Sequence, residues 1–256
     1  MTLSIDKKDF VMSLDRGLKV IQAFDREHEK MSLSQVAMRV ELNRAAVRRF
    51  LLTLKSLGYV NSDGKLFWLS PKILKLGYSY LVSQPIVDLV QPFVDLVSAE
   101  VGESCSVSVL DGTEIVYISR RRTQRIMSFS LHVGTRLPAA VTSMGRVILA
   151  NKNTRELDTI LDLVELKQLT KYTMTDRQIL KEELLKVREQ GYSVINEELE
   201  LGLRSIAVPI HNKNDKIVAA INVGTHAERI SEQELIDRIL PCLLKSAMEI
   251  REILPL

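Results

Sequence analysis

The sequence predicts an α+β chain of two domains: a small helical domain closed by a hairpin, then a mixed α/β domain on an antiparallel sheet. Three observations point there. The chain has 256 residues, room for one large domain or two of ordinary size. Its charge is unevenly divided: residues 1–83 carry 14 Lys and Arg against 8 Asp and Glu, residues 84–256 carry 21 against 24, and +6 with −3 gives the total of +3. Its apolar residues recur at three- and four-residue spacing through the first hundred positions and alternate beyond them.

The elements follow in order. Leu14, Leu18, Ile21 and Phe24 place a helix over 13–24 with Ser13 as its N-cap. Ser34 caps a short helix, QVAMRV, and the turn Glu41-Leu42-Asn43 leads into a third helix over 44–57. That helix turns Val47, Phe50, Leu51 and Leu54 inward and ends at Gly58, a left-handed C′ residue. YVNSDGKLFWL then reads as a hairpin around Ser62-Asp63-Gly64. Three helices followed by a hairpin is the order of a winged helix-turn-helix, assigned to residues 1–70. Ser70-Pro71 opens a linker helix, 71–84, from N-cap and N1 positions. The second domain, 85–256, begins with a helix to Val101 and Gly102. SCSVSVL and TEIVYISR form a hairpin around Asp111-Gly112, and RIMSFSL reads as a further strand. Helices follow over 142–150 and 155–161, and a third is capped by Thr175 and runs to Gln190. YSVINEE, RSIAVPIH and KIVAAINVGTH are strands. Ser231 and Glu234 form a capping box for a last helix that Pro241 kinks.

Composition excludes several classes. With 46% hydrophobic and 26% charged residues, the chain is neither disordered nor fibrous. Cys105 and Cys242 stand far apart and outside any C-x-x-C, so neither a disulfide framework nor a zinc knuckle is available. The charged start MTLSIDKKDF and the lack of any apolar run near ~18 residues argue for a cytoplasmic protein that does not enter a membrane. No H-E-x-x-H, P-loop, G-x-G-x-x-G or G-x-S-x-G occurs, so no metal, cofactor or catalytic residue is assigned. Glu197 and Glu198 are strand neighbours facing opposite ways, which fits a salt bridge to Arg204 better than a shared substrate.

The third helix is the sharpest site. Its early positions, Asn43, Arg44, Ala45, Ala46, Arg48 and Arg49, are those a recognition helix places in the major groove. An arginine can pair bidentately with guanine, and an alanine can meet a thymine methyl. Arg44 and Arg48 are four apart and share a face, while Arg49 lies about 100° round, nearer the phosphates. Ser34 and the wing residue Lys65 complete the candidate set for double-stranded DNA; a solvated basic face is the bland alternative. Arg120-Arg121-Arg122 with Arg125 forms a second basic cluster, open to two readings. It is a solvated strand end or subunit contact, or Arg120 points inward and meets a carboxylate.

SLDRGLKVIQAF, NRAAVRRFLLTLKSLGYV, WLSPKILKLGYSYL, VGTRLPAAVTSMGRVILA, EELELGLRSIAVPI and AAINVGTH together resemble the IclR family of bacterial transcription regulators, from about Phe10 onward. S-L-x-R-G-L-x-V-I-x-A-F, R-A-x-x-R-R-F-L-L-T-L and T-S-M-G-R-V-x-L-A are most similar to the subgroup (PcaU, PcaR and PobR) that governs aromatic-acid breakdown through the β-ketoadipate pathway. The resemblance implies a GAF-like effector domain and a regulator that binds a palindromic operator as a homodimer or homotetramer. Helices 13–24 and 71–82 would make the contacts between copies, and RNA polymerase would be a partner if the protein is an activator. It also implies a small aromatic or dicarboxylic acid effector, protocatechuate ahead of 4-hydroxybenzoate and β-ketoadipate. Its carboxylate would meet backbone N–H groups of Ser143 and Met144 after Thr142, with Gly145 permitting close approach. Ser205, Asn222 and Gly224 would be further contacts, Arg120 an anion partner, and Met127, Phe129 and Leu137 walls. Asn222, Gly224, Ser205 and Ile195 depart from the family's founding glyoxylate-pathway member, which favours a larger ring over pyruvate or glyoxylate. Three other readings stand beside this one: a regulator of another small-carboxylate pathway, a metabolite-processing enzyme with an accessory DNA-binding domain, and a regulator with no small-molecule effector that works through protein partners.

Overall fold

A computed structural model describes residues 6, 8–123 and 131–254. The chain forms two compact units that divide between Ser83 and Gln84.

The first unit comprises α1 (Met12–Gln22), β1 (Met31–Ser32), α2 (Leu33–Arg39), α3 (Arg44–Ser56), β2 (Val60–Ser62), β3 (Leu66–Leu69), a 3₁₀ turn (Pro71–Ile73) and α4 (Leu74–Ser83). Its strands form an antiparallel sheet in the order β1-β3-β2. Val20, Met31, Val36, Val47, Leu51 and Val60 form its core, with Phe50 and Leu54 packed against it. Ser13 lies inside α1, which starts without a side-chain cap. Ser34 is not the cap of α2 either. Ser32 accepts from the backbone of Gln35 while the Gln35 side chain returns to the Ser32 N–H, a complete capping box two residues earlier. The pair β1–β3 escapes a sequence reading because two residues carry no period.

The second unit comprises α5 (Pro85–Val101), β4 (Ser104–Asp111), β5 (Glu114–Arg121), β6 (Arg136–Pro138), a 3₁₀ turn (Ala139–Val141), α6 (Ser143–Ala150), α7 (Thr154–Leu163), α8 (Arg177–Gln190), β7 (Ser193–Asn196), β8 (Leu203–His211), β9 (Ile217–His226), α9 (Glu232–Glu234), a π turn (Leu235–Ile239) and α10 (Leu240–Ile253). The six strands are antiparallel, in the order β6-β5-β4-β9-β8-β7. One face of the sheet, with Cys105, Val107, Ile206, Val208, Ile221 and Val223, packs on α5 and α10. The other, with Ile115, Tyr117, Ala207 and Ala220, packs on α6 and α8. Alternation along each strand assigns residues to the two cores, which is why Ile206 and Ala207 part company.

Asp176, not Thr175, caps α8, accepting from Gln178 and Ile179. The strand expected at RIMSFSL falls outside the described residues except for Leu131. Ser231 caps α9 through Glu234 N, which is one half of the expected capping box. Pro241 is met by widening rather than a simple kink. Proline has no N–H for the i−4 carbonyl, and five residues of π turn precede it.

Candidate functional site

In the first unit, Asn43 Oδ1 accepts from Ala46 N at 2.8 Å. The side chain proposed for a base edge therefore caps α3. Arg44, Ala45 and Arg48 are exposed, and Ala46 is half-buried. Arg49, with Ala46, lines an apolar groove between α1 and α3 that includes Leu18, Ile21 and Phe50, so it leaves the Arg44–Arg48 face. Ser34 is exposed in the first turn of α2, and Lys65 is exposed at the hairpin tip. That tip is tied by Asp63, whose carboxylate accepts from Leu66 N and Lys65 N at 2.8 and 2.9 Å, bonds that lower its pKa. Trp68 lies on β3 with Lys30 Nζ 4.7 Å from its ring centroid.

In the second unit a cavity of ≈ 40 Å³ lies between the sheet and the start of α6. Two cross-strand rows run beneath it, and all of their residues but Ser106 and Ala207 line it. Arg120, Ser106, Asn222 and Ala207 pair in succession across β5, β4, β9 and β8. Two residues along, Ser104, Gly224, Ser205 and Ile195 pair across β4, β9, β8 and β7. Above them Thr142 caps α6, accepting from Gly145 N at 3.2 Å, and Ser143 Oγ sits 2.9 Å from Ser205 Oγ. An α-helix leaves its first-turn N–H groups without intrahelical acceptors, and those of Ser143 and Met144 belong to that set.

Arg120 does turn inward. Its Nη1 donates to Ser106 Oγ at 3.0 Å, its guanidinium lies 5.7 Å from the Tyr117 ring, and its buried Nε has no partner. Burial lowers the pKa of Arg120 and pushes the Tyr117 phenol up to about 12. No Asp or Glu lines the cavity among the described residues, so the Arg120 charge faces no counter-ion there. Arg120 is half-buried, and a cation held partly out of water with no anion beside it is a candidate anion partner. The neighbouring Arg121 lies 3.8 Å from Asp95 across the outer surface, Arg122 is exposed, and Arg125 falls outside the described residues.

Of the expected effector residues, Arg120, Thr142, Ser143, Ser205, Asn222 and Gly224 line the cavity. Met127 and Phe129 lie outside the described residues. Leu137 is placed elsewhere: paired with Ile115 at the sheet edge, it packs on the core that also takes the Met144 side chain, while the Met144 N–H, the group expected to meet the carboxylate, lies in the first turn of α6. Gly145 serves a different purpose from close approach of a ligand. A Cβ there would lie 2.1 Å from the Ala139 carbonyl oxygen, so the missing side chain lets α6 sit on the preceding turn. Tyr117, Leu131, Val141, Leu199 and Leu203 complete the walls. They were missed because they come from separate segments, and only their apolar character was legible. The expected bridge from one of Glu197 and Glu198 to Arg204 is also corrected. Glu198 Oε2 pairs with the buried Arg146 Nη2 at 2.7 Å, while Arg204 donates to Asn196 and to the carbonyls of Ala227 and Ile230.

Among the described residues no helix is long and apolar enough to cross a membrane, and no cluster of His, Cys, Asp or Glu could hold a metal. Residues 13–64 match the IclR helix-turn-helix domain, and residues 78–252 match the bacterial transcriptional regulator IclR C-terminal domain. The chain is 44% identical over 243 residues to the Pca regulon regulatory protein of Pseudomonas putida, covering 94% of this chain and 84% of that one. Its fold is similar to the crystal structure of a transcriptional regulator from Rhodococcus sp. RHA1, at a TM-score of 0.85 and 46% identity over 95% and 98% of the two chains. It is also similar to the inducer-binding domain of a double mutant of the PobR transcription factor from Acinetobacter, crystallised with 3-hydroxybenzoic acid. That likeness has a TM-score of 0.62 and 35% identity, over 65% of this chain and 98% of that one. These relatives are regulators and not enzymes. With both of its domains matched in order, the chain belongs to the IclR family of bacterial transcriptional regulators.

Proposed function

We propose that this regulator controls a catabolic operon for aromatic acids and responds to a small aromatic or dicarboxylic acid held in the cavity at the start of α6. The observation that carries this is Arg120, turned into the cavity with an unpartnered Nε and no acidic residue opposite. A carboxylate there would gain charge-assisted hydrogen bonds. Ser143, Ser205 and Asn222 supply further polar contacts, and Ile195, Leu199 and Leu203 supply an apolar wall. The cavity's ≈ 40 Å³ holds about three waters at 10–15 Å³ each. Admitting an acid of ten or so heavy atoms therefore displaces that wall. The names of the relatives, which concern the Pca regulon and PobR, support the pathway class.

On this reading Arg44, Ala45 and Arg48 read bases in the major groove, with Asn43 and Ala46 holding the helix start and Ser34, Arg49 and Lys65 nearer the backbone. One such module spans few base pairs, so the regulator reads a palindromic operator as a homodimer or homotetramer in the cytoplasm. The exposed apolar residues of α1 (Leu14, Leu18) and of α4 (Leu74, Tyr78, Val82) support contact between copies. RNA polymerase is a partner if the regulator activates. Effector binding alters operator affinity only if the two DNA-binding states differ in affinity for the acid.

The test uses duplex DNA selected from a random pool by the wild-type chain, with thermal shift against protocatechuate, 4-hydroxybenzoate, benzoate and adipate. Arg48→Ala is expected to weaken DNA binding by about 1–3 kcal/mol and leave the acid-induced shift intact. Arg120→Gln is expected to do the reverse. Loss of both activities in either variant refutes the separation of roles, and no shift with any acid refutes the effector assignment.

A further inference from the structure

We infer that Lys72 is a positioning residue for DNA recognition: it fixes the direction in which α4 leaves the end of the recognition helix α3, and with it the spacing of half-sites that the regulator accepts. The inference rests on the proposed function, in which two copies read one palindromic site, and adds to it. The last turn of an α-helix leaves carbonyl groups without intrahelical donors. In α3 that end is closed from the linker. Lys72 Nζ donates to the carbonyl of Leu57, the C-cap of α3, at 2.7 Å and lies 5.1 Å from the Tyr59 ring centroid. A cation there also faces the negative end of the α3 dipole. Ser70 Oγ donates to the Gly58 carbonyl, Ser70 N donates to that of Tyr59 at 2.9 Å, and Lys72 N donates to Ser70 Oγ at 3.2 Å. The Lys72 stem runs past Gly58, where φ is +80° and a Cβ would lie 3.5 Å from Lys72 Cδ.

These ties are not equivalent. The Ser70 side-chain and N–H bonds fasten the end of β3 to the turn after α3, but they precede Pro71, and the chain beyond them is left to pivot. Lys72 stands in the 3₁₀ turn that runs into α4. Among the described residues no side-chain hydrogen bond or ion pair from α4 itself reaches α3; its two serines bond back to carbonyls of α4. Lys72 is therefore the polar tie that sets the direction of α4. The leverage is large. From Arg44 to Ser56 α3 has 13 residues, about 20 Å at about 1.5 Å each. A swing of about 10° at the Lys72 joint moves Arg44 by about 3.4 Å, the rise of one base pair. One base pair more between half-sites displaces the second by that distance and turns it by about 34° around the axis. A joint held by Lys72 resists both changes, whereas one held by Ser70 alone absorbs part of each. The exposed apolar residues of α4 (Leu74, Tyr78, Val82) place the two recognition helices of a dimer only through this joint.

The experiment is fluorescence-anisotropy titration of the full chain with duplexes built on the site that the wild-type chain selects from a random pool. The duplexes are the site itself, versions with one base pair added or removed at its centre, and a single half-site. Wild type, Lys72→Met and Lys72→Arg are compared, and circular dichroism melts check that each is folded. For wild type, a one-base-pair change in either direction is expected to weaken binding at least about tenfold. The tie opposes a misplaced half-site by no more than its own strength, so Lys72→Met is expected to cut that ratio by about three- to tenfold. Half-site affinity is expected to stay within about twofold, because Lys72 meets no base. Lys72→Arg reaches the same carbonyl and stacks on the same ring, and is expected to keep most of the wild-type ratio. A wild-type chain indifferent to spacing refutes the palindromic reading, and this inference with it. Selectivity that Lys72→Met retains in full overturns this inference and leaves the proposed function standing. Loss of half-site binding in Lys72→Met overturns it too, since Lys72 would then act on recognition itself, and Lys72→Arg as permissive as Lys72→Met overturns the role of the cation.

Discussion

Arg146 offers the most demanding test of how the cavity is held. The residue is 1% exposed. Nε donates to the Ala140 carbonyl at 2.8 Å and Nη2 to Glu198 Oε2 at 2.7 Å. That carboxylate oxygen also accepts from Met174 N at 3.1 Å, and Thr173 Oγ1 donates to the Glu198 carbonyl at 2.7 Å. One guanidinium thus ties α6 to the 3₁₀ turn before it and to the segment from which Leu199 reaches the cavity. Arg146→Met keeps most of the volume and removes the charge. Glu198 is then left buried as an anion without its partner, a loss of about 3–5 kcal/mol. The orphaned Ala140 carbonyl belongs to the same rearrangement and is not added separately. For a chain of this size the midpoint of the second unit's transition falls by about 2–4 °C per kcal/mol, or roughly 6–20 °C. The double variant Arg146→Met, Glu198→Leu is expected to recover most of this, because no buried charge remains. Urea unfolding followed by circular dichroism measures all three proteins. A loss below about 1 kcal/mol in Arg146→Met shows that the pair behaves like a surface salt bridge and that water reaches it.

Four further outcomes follow from the same geometry. Gly145→Ala places its methyl against backbone atoms of Ala139 at 2.1–2.5 Å. That exceeds ordinary overpacking, so a loss of at least about 3 kcal/mol is expected in urea unfolding, and a neutral result contradicts the close packing of α6 on its turn. Asn43→Ala should cost the first unit about 1 kcal/mol in a thermal melt, whereas Asn43→Ser should retain DNA binding; loss in the serine variant would show that Asn43 itself meets a base. Tyr117 is neutral when buried and titrates at about 12 rather than 10.0. The folded state therefore holds its proton longer than the unfolded state, and stability present below pH 10 is lost between about pH 10 and 12. Tyr117→Phe should flatten that part of the curve, read as urea midpoint against pH, leaving the contribution of Cys105, whose thiol burial also pushes up. Ser108 Oγ is buried without a partner among the described residues. Ser108→Ala should stabilise by about 1 kcal/mol, and destabilisation would reveal a bound water there.

How much was legible in the sequence depended on whether the signal was local. α3 is written in one segment: Asn43 at its cap, Val47, Leu51 and Leu54 on one side, Arg44 and Arg48 on the other, Gly58 beyond its end. The start of α6 was reached through the T-S-M-G run, but the same run misled about Gly145, because the backbone it must clear belongs to Ala139 and only packing shows that. Caps were misplaced by one or two residues where two candidates compete, as with Ser32 and Ser34 or Thr175 and Asp176. The floor of the cavity was the hardest part. Ser106 and Asn222 stand 116 positions apart in the chain yet face each other, and alternation within either strand does not say which strands are neighbours. Arg204 was expected to pair with Glu197 or Glu198 for the same reason, since proximity along the chain stood in for proximity in space.

β4 shows why the cavity lies where it does. Cys105 and Val107 pack into the core beneath α5 and α10. Ser104, Ser106 and Ser108 turn to the opposite face, in the centre of a six-stranded sheet where an aliphatic row would pack better. Each buried hydroxyl needs a partner or costs stability. Ser104 finds Thr123, Ser106 finds Arg120, and Ser108 finds none. A polar row that satisfies only part of its own hydrogen bonding adds nothing to the core, and its one large charge, Arg120, is raised in energy by the same burial. These costs converge at the end of the sheet covered by α6, the helix whose first-turn N–H groups also lack intrahelical acceptors. Stability is given up on both walls of one small cavity, and the acid proposed above would meet donors on both.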